Sequence, residues 1–125
     1  MDAQTAETAT ERLRAAVGDD LRAVAHARSS ADEMDYTVTY IRDDVGDQYP
    51  EAARDRIFEE FVVEYYRRGW EEDLFQPLGG LDHSVQIFEQ GANVVAWGDG
   101  RFLFVSTERA TDAISRVVAV LDEVG

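Results

Sequence analysis

Three carboxylates stand close together at residues 43–47, an arrangement that a hard cation such as Ca²⁺ could use. Asp43, Asp44 and Asp47 lie within five residues, and carboxylate oxygens are ligands that calcium and magnesium prefer. An EF-hand loop, however, needs a longer series of oxygen ligands, a glycine at its turn and a closing glutamate, and this segment lacks that pattern. We interpret the cluster as a solvated acidic turn ahead of a helix N-terminus.

Zinc and nucleophilic chemistry find little support in the residue types. His26 and His83 are the only histidines and fall on different predicted strands, and a zinc site needs at least a third ligand. The chain has no cysteine, which excludes thiolate ligands, a thiolate nucleophile and a disulfide framework. Ser84, Ser106 and Thr107 supply hydroxyls, but no nucleophile-elbow glycine pattern surrounds them. We therefore predict no catalytic residue and no bound metal.

The glycines at residues 98–100, "GDG", could in principle approach a phosphate. Predicted strands lie on both sides of this segment, whereas a dinucleotide loop must be followed by a helix. A P-loop is excluded because the chain contains no lysine. The segment is predicted to be a turn, and we expect no cofactor.

The stretch "FVVEYYRRGW", residues 61–70, combines four aromatic residues and two arginines with a single acidic residue. At about 100° per residue, a helix over 50–68 ending at Gly69 places one apolar arc toward a core; its members are Ile57, Phe58, Phe61, Val62 and Tyr65. Val63, Tyr66 and Trp70 form a second apolar flank that a small domain does not need for its core. Three uses remain open for this flank: packing under a neighbouring loop or hairpin, burial in a homodimer, and binding of a small ligand or another partner.

A pocket between this helix and the strands is the alternative kind of site. Tyr36, Tyr40, Tyr65 and Trp97 would line it, and it would make the protein a small-molecule sensor or an enzyme. A concave cavity with converging polar groups would favour this hypothesis, and a fully packed interface would reject it.

The charge balance restricts the environment and the partners. The chain has 26 acidic residues against 12 basic ones, all of them arginine, and a formal net charge of −14. Concentrated salt screens the self-repulsion of such a chain, so we interpret the acidity as adaptation of a halophile to its solvent. Nucleic-acid binding through phosphate neutralisation is not expected. No apolar run is long enough to span a bilayer, and the polar N-terminus is unlike a signal peptide, so we expect a cytoplasmic protein.

Periodicity predicts the order of elements as α-β-β-α-β-β-β-α within a single domain, residues 1–125. Helices are predicted over 5–17, 50–68 and 110–124, with a possible further turn at 70–75. Strands are predicted over 21–28, 35–42, 83–89, 93–97 and 101–106, with loops at 29–33 and 43–50. The strand at 101–106 is apolar on both alternations, so it should be covered on both faces. These features predict a five-stranded, largely antiparallel sheet with helices on both faces.

This element order resembles that of roadblock and longin domains, in which strands in groups of two and three flank a long central helix; profilin-like domains are a related possibility. The resemblance covers nearly the whole chain and rests on topology, without a sequence motif. It implies a homodimer and a non-catalytic regulator or scaffold, often one that serves small GTPases. Fold-level analogy leaves the function itself to be argued from a site.

A second resemblance lies in "DYTVTYIRDDV", residues 35–45, where a strand runs into an Arg-Asp-Asp-Val break ahead of a long helix. It is similar to a group of small acidic haloarchaeal proteins of unknown function, which implies a habitat and a fold but no catalytic residue. Together these observations predict a non-enzymatic cytoplasmic interaction or regulatory module, homodimeric through the 50–68 helix. Val63, Tyr66 and Trp70 are its expected partner-binding residues.

Overall fold

The computed structural model describes residues 3–30 and 33–124. Within these ranges, four helices and five strands follow one another in the order α1 (Ala3–Val17), β1 (Leu21–Ser30), β2 (Glu33–Ile41), α2 (Asp43–Gln48), α3 (Glu51–Leu74), β3 (His83–Phe88), β4 (Gly91–Trp97), β5 (Arg101–Thr107) and α4 (Thr111–Val124). Short 3₁₀ turns at Gly18–Asp20 and Gln76–Leu78 complete α1 and α3. The centre of the predicted 29–33 loop, residues 31 and 32, lies outside the described residues.

The five strands form one sheet in the order β2-β1-β5-β4-β3. All four strand pairings are antiparallel, as the alternating pattern predicts. The central strand β5 pairs with β1 along one edge and with β4 along the other. Helices cover its apolar residues on both faces of the sheet. β2 and β3 are the edge strands of the sheet.

Each face of the sheet carries its own hydrophobic core. On one face, α1 and α4 bury Leu13 and Val117 against Val94, Leu103 and other strand residues. On the other face, α3 inserts Phe58 against a second set of strand residues, which comprises Ala25, Ala27, Val95 and Phe102. The predicted arrangement of the long helix on one side and two helices on the other is therefore confirmed.

Two helical segments differ from the sequence prediction by more than two residues. The segment predicted as a break contains the short helix α2, which begins after Arg42 in an extended conformation and buries Val45. α3 continues through Gly69 to Leu74. Gly69 does not end the helix, because a glycine stops a helix only where the chain turns into the left-handed region, and the described positive-φ glycines are Gly18, Gly79 and Gly100.

The side chain of Arg42 connects three separate segments at one end of the sheet. It donates to the carbonyl of Asp19 at 2.7 Å, to Glu108 at 2.6 Å and, through two nitrogens, to Asp44 at 2.6 and 3.0 Å. The bonds to Asp44 and Glu108 raise the pKa of Arg42, and the bond from Arg42 lowers the pKa of Asp44. The Arg-Asp-Asp-Val segment thus holds α2 against the turn that precedes β1 and the turn that follows β5.

Candidate interaction surface

The outward side of α3 carries a line of exposed apolar side chains. Val63, Tyr66, Trp70 and Leu74 expose 58%, 62%, 74% and 76% of their surfaces, and we call these four residues the outer stripe. Their spacing of three, four and four residues keeps them on one side of the helix. The three residues predicted to bind a partner are therefore together on one surface, and the intramolecular core leaves most of their area uncovered.

The opposite side of α3 is packed on the sheet through aromatic rings. Tyr36 stacks on Phe58 with ring centroids 4.2 Å apart, and Phe61 lies 5.0 Å from Phe102. Phe104 contacts both helix rings edge-on. This aromatic layer buries the apolar inner arc of the helix, whereas the outer stripe stays largely exposed.

Further along, Arg68 fastens α3 to the hairpin between β4 and β5. Its guanidinium lies 4.8 Å from the Tyr65 ring centroid and 5.9 Å from that of Trp97, and it donates to the carbonyl of Gly98 at 2.9 Å. The Tyr65 hydroxyl accepts a hydrogen bond from the backbone of Gly100. Of the arginine and aromatic residues in this stretch, Arg68 and Tyr65 therefore have structural roles.

Sequence reasoning missed two neighbouring exposed apolar features. Phe75 and Leu78, in the turn after α3, are exposed. Edge strand β3 exposes Val85, Ile87 and Phe88, and its sequence "HSVQIF" contains none of the charged residues or prolines that usually protect a free edge. The strand pattern does not predict that β3 is an edge strand. The absence of charged residues in β3, however, is visible in the sequence.

The four residues proposed to line a pocket do not converge. Tyr36, Tyr65 and Trp97 lie on the α3 face of the sheet, whereas Tyr40 packs with the core under α1 and α4, where Arg14 lies 4.7 Å from its ring centroid. The separation arises from a bulge, since the register between β1 and β2 shifts between Val24/Tyr40 and Ala25/Val38. An extra residue reverses the side on which later side chains project.

A cavity of about 610 Å³ does lie between α3 and the sheet, beside the expected position. Its floor includes Ala23, Ala25 and Phe104, and α2 and α3 supply its walls. Polar side chains from the strands and helices also reach it; they include Arg22, Arg54, Gln86, Asn93 and Ser106. The cavity exists at this position because β1 has alanines under the helix, and larger side chains would fill this space.

The candidate catalytic and metal-binding residues are engaged in structural contacts or stand apart. His26 on β1 and His83 on β3 are separated by β5 and β4. His83 contacts Asp122 at 2.7 Å, and the Ser84 hydroxyl accepts a hydrogen bond from the Trp97 indole at 2.8 Å. Within residues 3–30 and 33–124, no three His, Asp or Glu residues are grouped as a metal site would require.

The turn predicted at residues 98–100 is present between β4 and β5, with Gly100 at a φ of 71°. Within the described residues, no helix combines the length and the apolar composition that a membrane span requires.

Comparison with known proteins places this fold among its relatives. The sequence profile of a family described as Domain of unknown function (DUF7522) matches residues 7–125, and no curated protein matches the chain. Among solved structures, MglB of Myxococcus xanthus superposes with a TM-score of 0.58 at 10% identity, over 98% of this chain and 94% of that one. A structure described as MglB with a tetrameric arrangement gives 0.56 at 11% identity, over 99% and 90%.

A Roadblock/LC7 domain from Streptomyces avermitilis gives a TM-score of 0.52 at 14% identity, over 90% of this chain and 91% of that one. At identities this low the similarity establishes the fold alone. The roadblock-like architecture expected from the element order is therefore confirmed.

Proposed function

The chain belongs to the DUF7522 family, and because the description of that family assigns no activity, we propose a function from the exposed surface itself. We propose a non-enzymatic interaction or regulatory module that forms a homodimer through the outer surface of α3. Val63, Tyr66 and Trp70 are the partner-binding residues of this proposal. The carrying observation is that these three large apolar side chains lie together along α3 and are exposed, with Val63 at the border of the cavity between α3 and the sheet.

The physical reason is the cost of leaving such a surface in water. Burying apolar area stabilises association by about 25 cal/mol per Å², and tyrosine and tryptophan are enriched in the buried centres of interfaces. Contiguous apolar patches on a monomer commonly mark interaction sites. The cavity beside α3 is also lined by Gln86 of β3. The exposed edge of β3 is therefore a second surface that a partner could cover.

The resemblance to roadblock domains supports a regulatory role and suggests a small GTPase as a further partner. The acidic, lysine-free composition supports an origin in the cytoplasm of a halophile.

Light scattering across micromolar concentrations in molar salt tests the proposed dimer. We expect a species of twice the chain mass of 14.0 kDa, and we expect Tyr66→Glu or Val63→Glu to convert it to a monomer with an unchanged circular dichroism spectrum. Ala16→Glu is the matched control, because Ala16 is an exposed helical residue on the opposite face of the sheet. A wild-type protein that remains at 14.0 kDa at every concentration contradicts the proposal.

The cavity beside α3 favours a second candidate function, that of a small-molecule sensor. Its volume of about 610 Å³ falls in the range of known ligand sites, and it combines an apolar floor with polar groups. The fluorescent probe 1-anilinonaphthalene-8-sulfonate should bind there, and Ala53→Trp, which places a large ring at the α3 wall of the cavity, should weaken its binding. If Tyr66→Glu loses the probe fluorescence of the wild type and Ala53→Trp retains it, the probe binds at the outer stripe and this candidate is rejected.

A further inference from the structure

The cavity between α3 and the sheet has a positively charged lining in a chain whose formal net charge is −14. Its charged residues are three arginines and two glutamates, namely Arg22, Arg54, Arg56, Glu60 and Glu64. On the α3 wall, two arginines are matched by two glutamates. The remaining charge is that of Arg22 on β1, and no carboxylate of the lining belongs to the sheet.

The side chain of Arg22 extends along the sheet on the cavity's side and has no acidic partner. A Cβ placed on Gly91 of β4 would lie 3.8 Å from the Cδ and Nε atoms of Arg22, so the arginine reaches across β5. None of the ion pairs among the described residues includes it, and its one side-chain hydrogen bond there is a 3.5 Å contact with Gln48. This half-buried guanidinium therefore retains donors for an anion.

Three polar side chains form a row on the floor of the cavity beside this arginine. The register pairs Gln86 with Asn93 and Asn93 with Ser106. Ser106 is paired in turn with Ala23, the residue after Arg22. Directly paired residues project to the same face of a sheet, and all of these residues line the cavity. Within the described residues, none of the three polar side chains has a hydrogen-bond partner, so water or a ligand satisfies them.

The rest of the cavity is apolar. The strands supply Ala25 and Phe104, and α3 supplies Ile57 and Phe61. A ligand that fills this space needs an apolar body together with an anionic group. A carboxylate suits the polar end, because a guanidinium binds its two oxygens bidentately and amide and hydroxyl groups donate to the same oxygens. One unmatched positive charge suits one negative charge better than the nearly two charges of a phosphate monoester.

We propose that this cavity binds a small organic monocarboxylate, with the carboxylate at Arg22, Asn93 and Ser106 and the apolar body under α3. The inference rests on the second candidate function, in which the cavity is a ligand site, and it identifies the chemical class of the ligand. Arg22 is the residue that determines the preference for an acid over a neutral compound.

Two compounds of nearly equal shape test the class of ligand. 1-Naphthaleneacetate and 1-naphthaleneacetamide share an apolar ring and differ at neutral pH by one negative charge. Each is titrated into the protein in a calorimeter at the lowest salt concentration at which circular dichroism reports a folded chain, because salt screens the charge. We expect the acid to bind about tenfold more tightly than the amide.

Replacing Arg22 tests the residue that makes the distinction. Arg22→Gln removes the charge and keeps a polar side chain, so the acid should lose about tenfold in affinity and the amide should bind as it does to the wild type. Arg109→Gln is the matched control, because Arg109 is exposed and lies outside the cavity lining. It changes the net charge equally and should leave both affinities unchanged. Ala53→Trp should weaken the binding of both compounds.

The outcomes separate this inference from the candidate function on which it rests. If neither compound binds, or if Ala53→Trp changes the binding of neither, the cavity is not their site and both proposals are overturned. Equal affinities for the acid and the amide, or a preference that persists in Arg22→Gln, overturn the carboxylate class and leave the cavity standing as a ligand site. Tighter binding of 1-naphthyl phosphate than of the acid also overturns that class. Loss of the amide in Arg22→Gln overturns the role assigned to Arg22.

Discussion

Replacing Arg42 is expected to destabilise the fold by an amount that can be worked from its contacts. The side chain is 26% exposed, and its bonds to the Asp19 carbonyl and to Glu108 link segments far apart in the chain. Each such bond contributes about 1 kcal/mol net. The contact with the exposed Asp44 adds less than either of these bonds because solvent screens it, and the sum counts only the two bonds. Arg42→Ala should therefore lower the free energy of unfolding by about 2 kcal/mol.

Arg42→Lys should recover part of that loss. A lysine ammonium keeps the charge but lacks the planar fork that reaches the Asp19 carbonyl and Glu108 together, so a loss of about 1 kcal/mol is expected. Urea unfolding followed by circular dichroism at one fixed protein concentration measures both values. Arg28→Ala is the control, because Arg28 contacts Asp35 only at 3.8 Å and both side chains are exposed.

The loss of stability in Arg42→Ala is predicted to depend on pH. Arg42 lowers the pKa of Asp44 below its ordinary value of 3.8, so the folded state holds the ionised carboxylate more tightly than the unfolded state does. The stability that the Arg42–Asp44 contact gives is present above the ordinary pKa of Asp44. It is lost as the pH falls through the lowered pKa of the folded state. The difference between wild type and Arg42→Ala should thus narrow below pH 4. A difference of less than 0.5 kcal/mol at neutral pH, or one that grows on acidification, would refute the role assigned to Arg42.

Two further predictions test the helix boundary and the aromatic layer. Gly69→Ala should stabilise the protein by about 0.5–1 kcal/mol in urea unfolding, because Gly69 lies inside α3 and no heavy atom lies within 4 Å of an added Cβ; a loss of stability would indicate a helix stop instead. Burial, together with the hydrogen bond to Asp55, raises the pKa of Tyr36 above 10.0. Since the unfolded phenol then ionises first, stability should fall above pH 10, and the difference in absorbance titration between wild type and Tyr36→Phe should have its midpoint above pH 10. A midpoint at or below 10 would contradict this environment for Tyr36.

The aromatic layer and the outer stripe explain why α3 is apolar around so much of its circumference. Phe58 and Phe61 attach the helix to the sheet, and Tyr66 and Trp70 remain exposed on the other side. A helix needs only one apolar side to cover a sheet. The second apolar side is therefore the feature of this chain that most directly indicates an interaction role.

The amino-acid sequence by itself determined the elements, because the periods of two and of about 3.6 are local properties of strands and helices. The apolar residues on both alternations of β5 predicted coverage on both faces, and the absence of cysteine excluded thiolate and disulfide chemistry. The excess of apolar residues on α3 was also visible, although the pattern left open whether they belonged to the core or to an interface.

Tertiary structure decided what depends on contacts between distant segments. Arg42 stabilises α2 through Asp19 and Glu108, which no local pattern connects, so a helix formed where a break was predicted. The bulge between β1 and β2 moved Tyr40 to the opposite face of the sheet from Tyr36. Exposure of the outer stripe likewise followed from how the inner face of α3 packs on the strands, because a helical pattern specifies which residues share a side and the packing alone determines which side is covered.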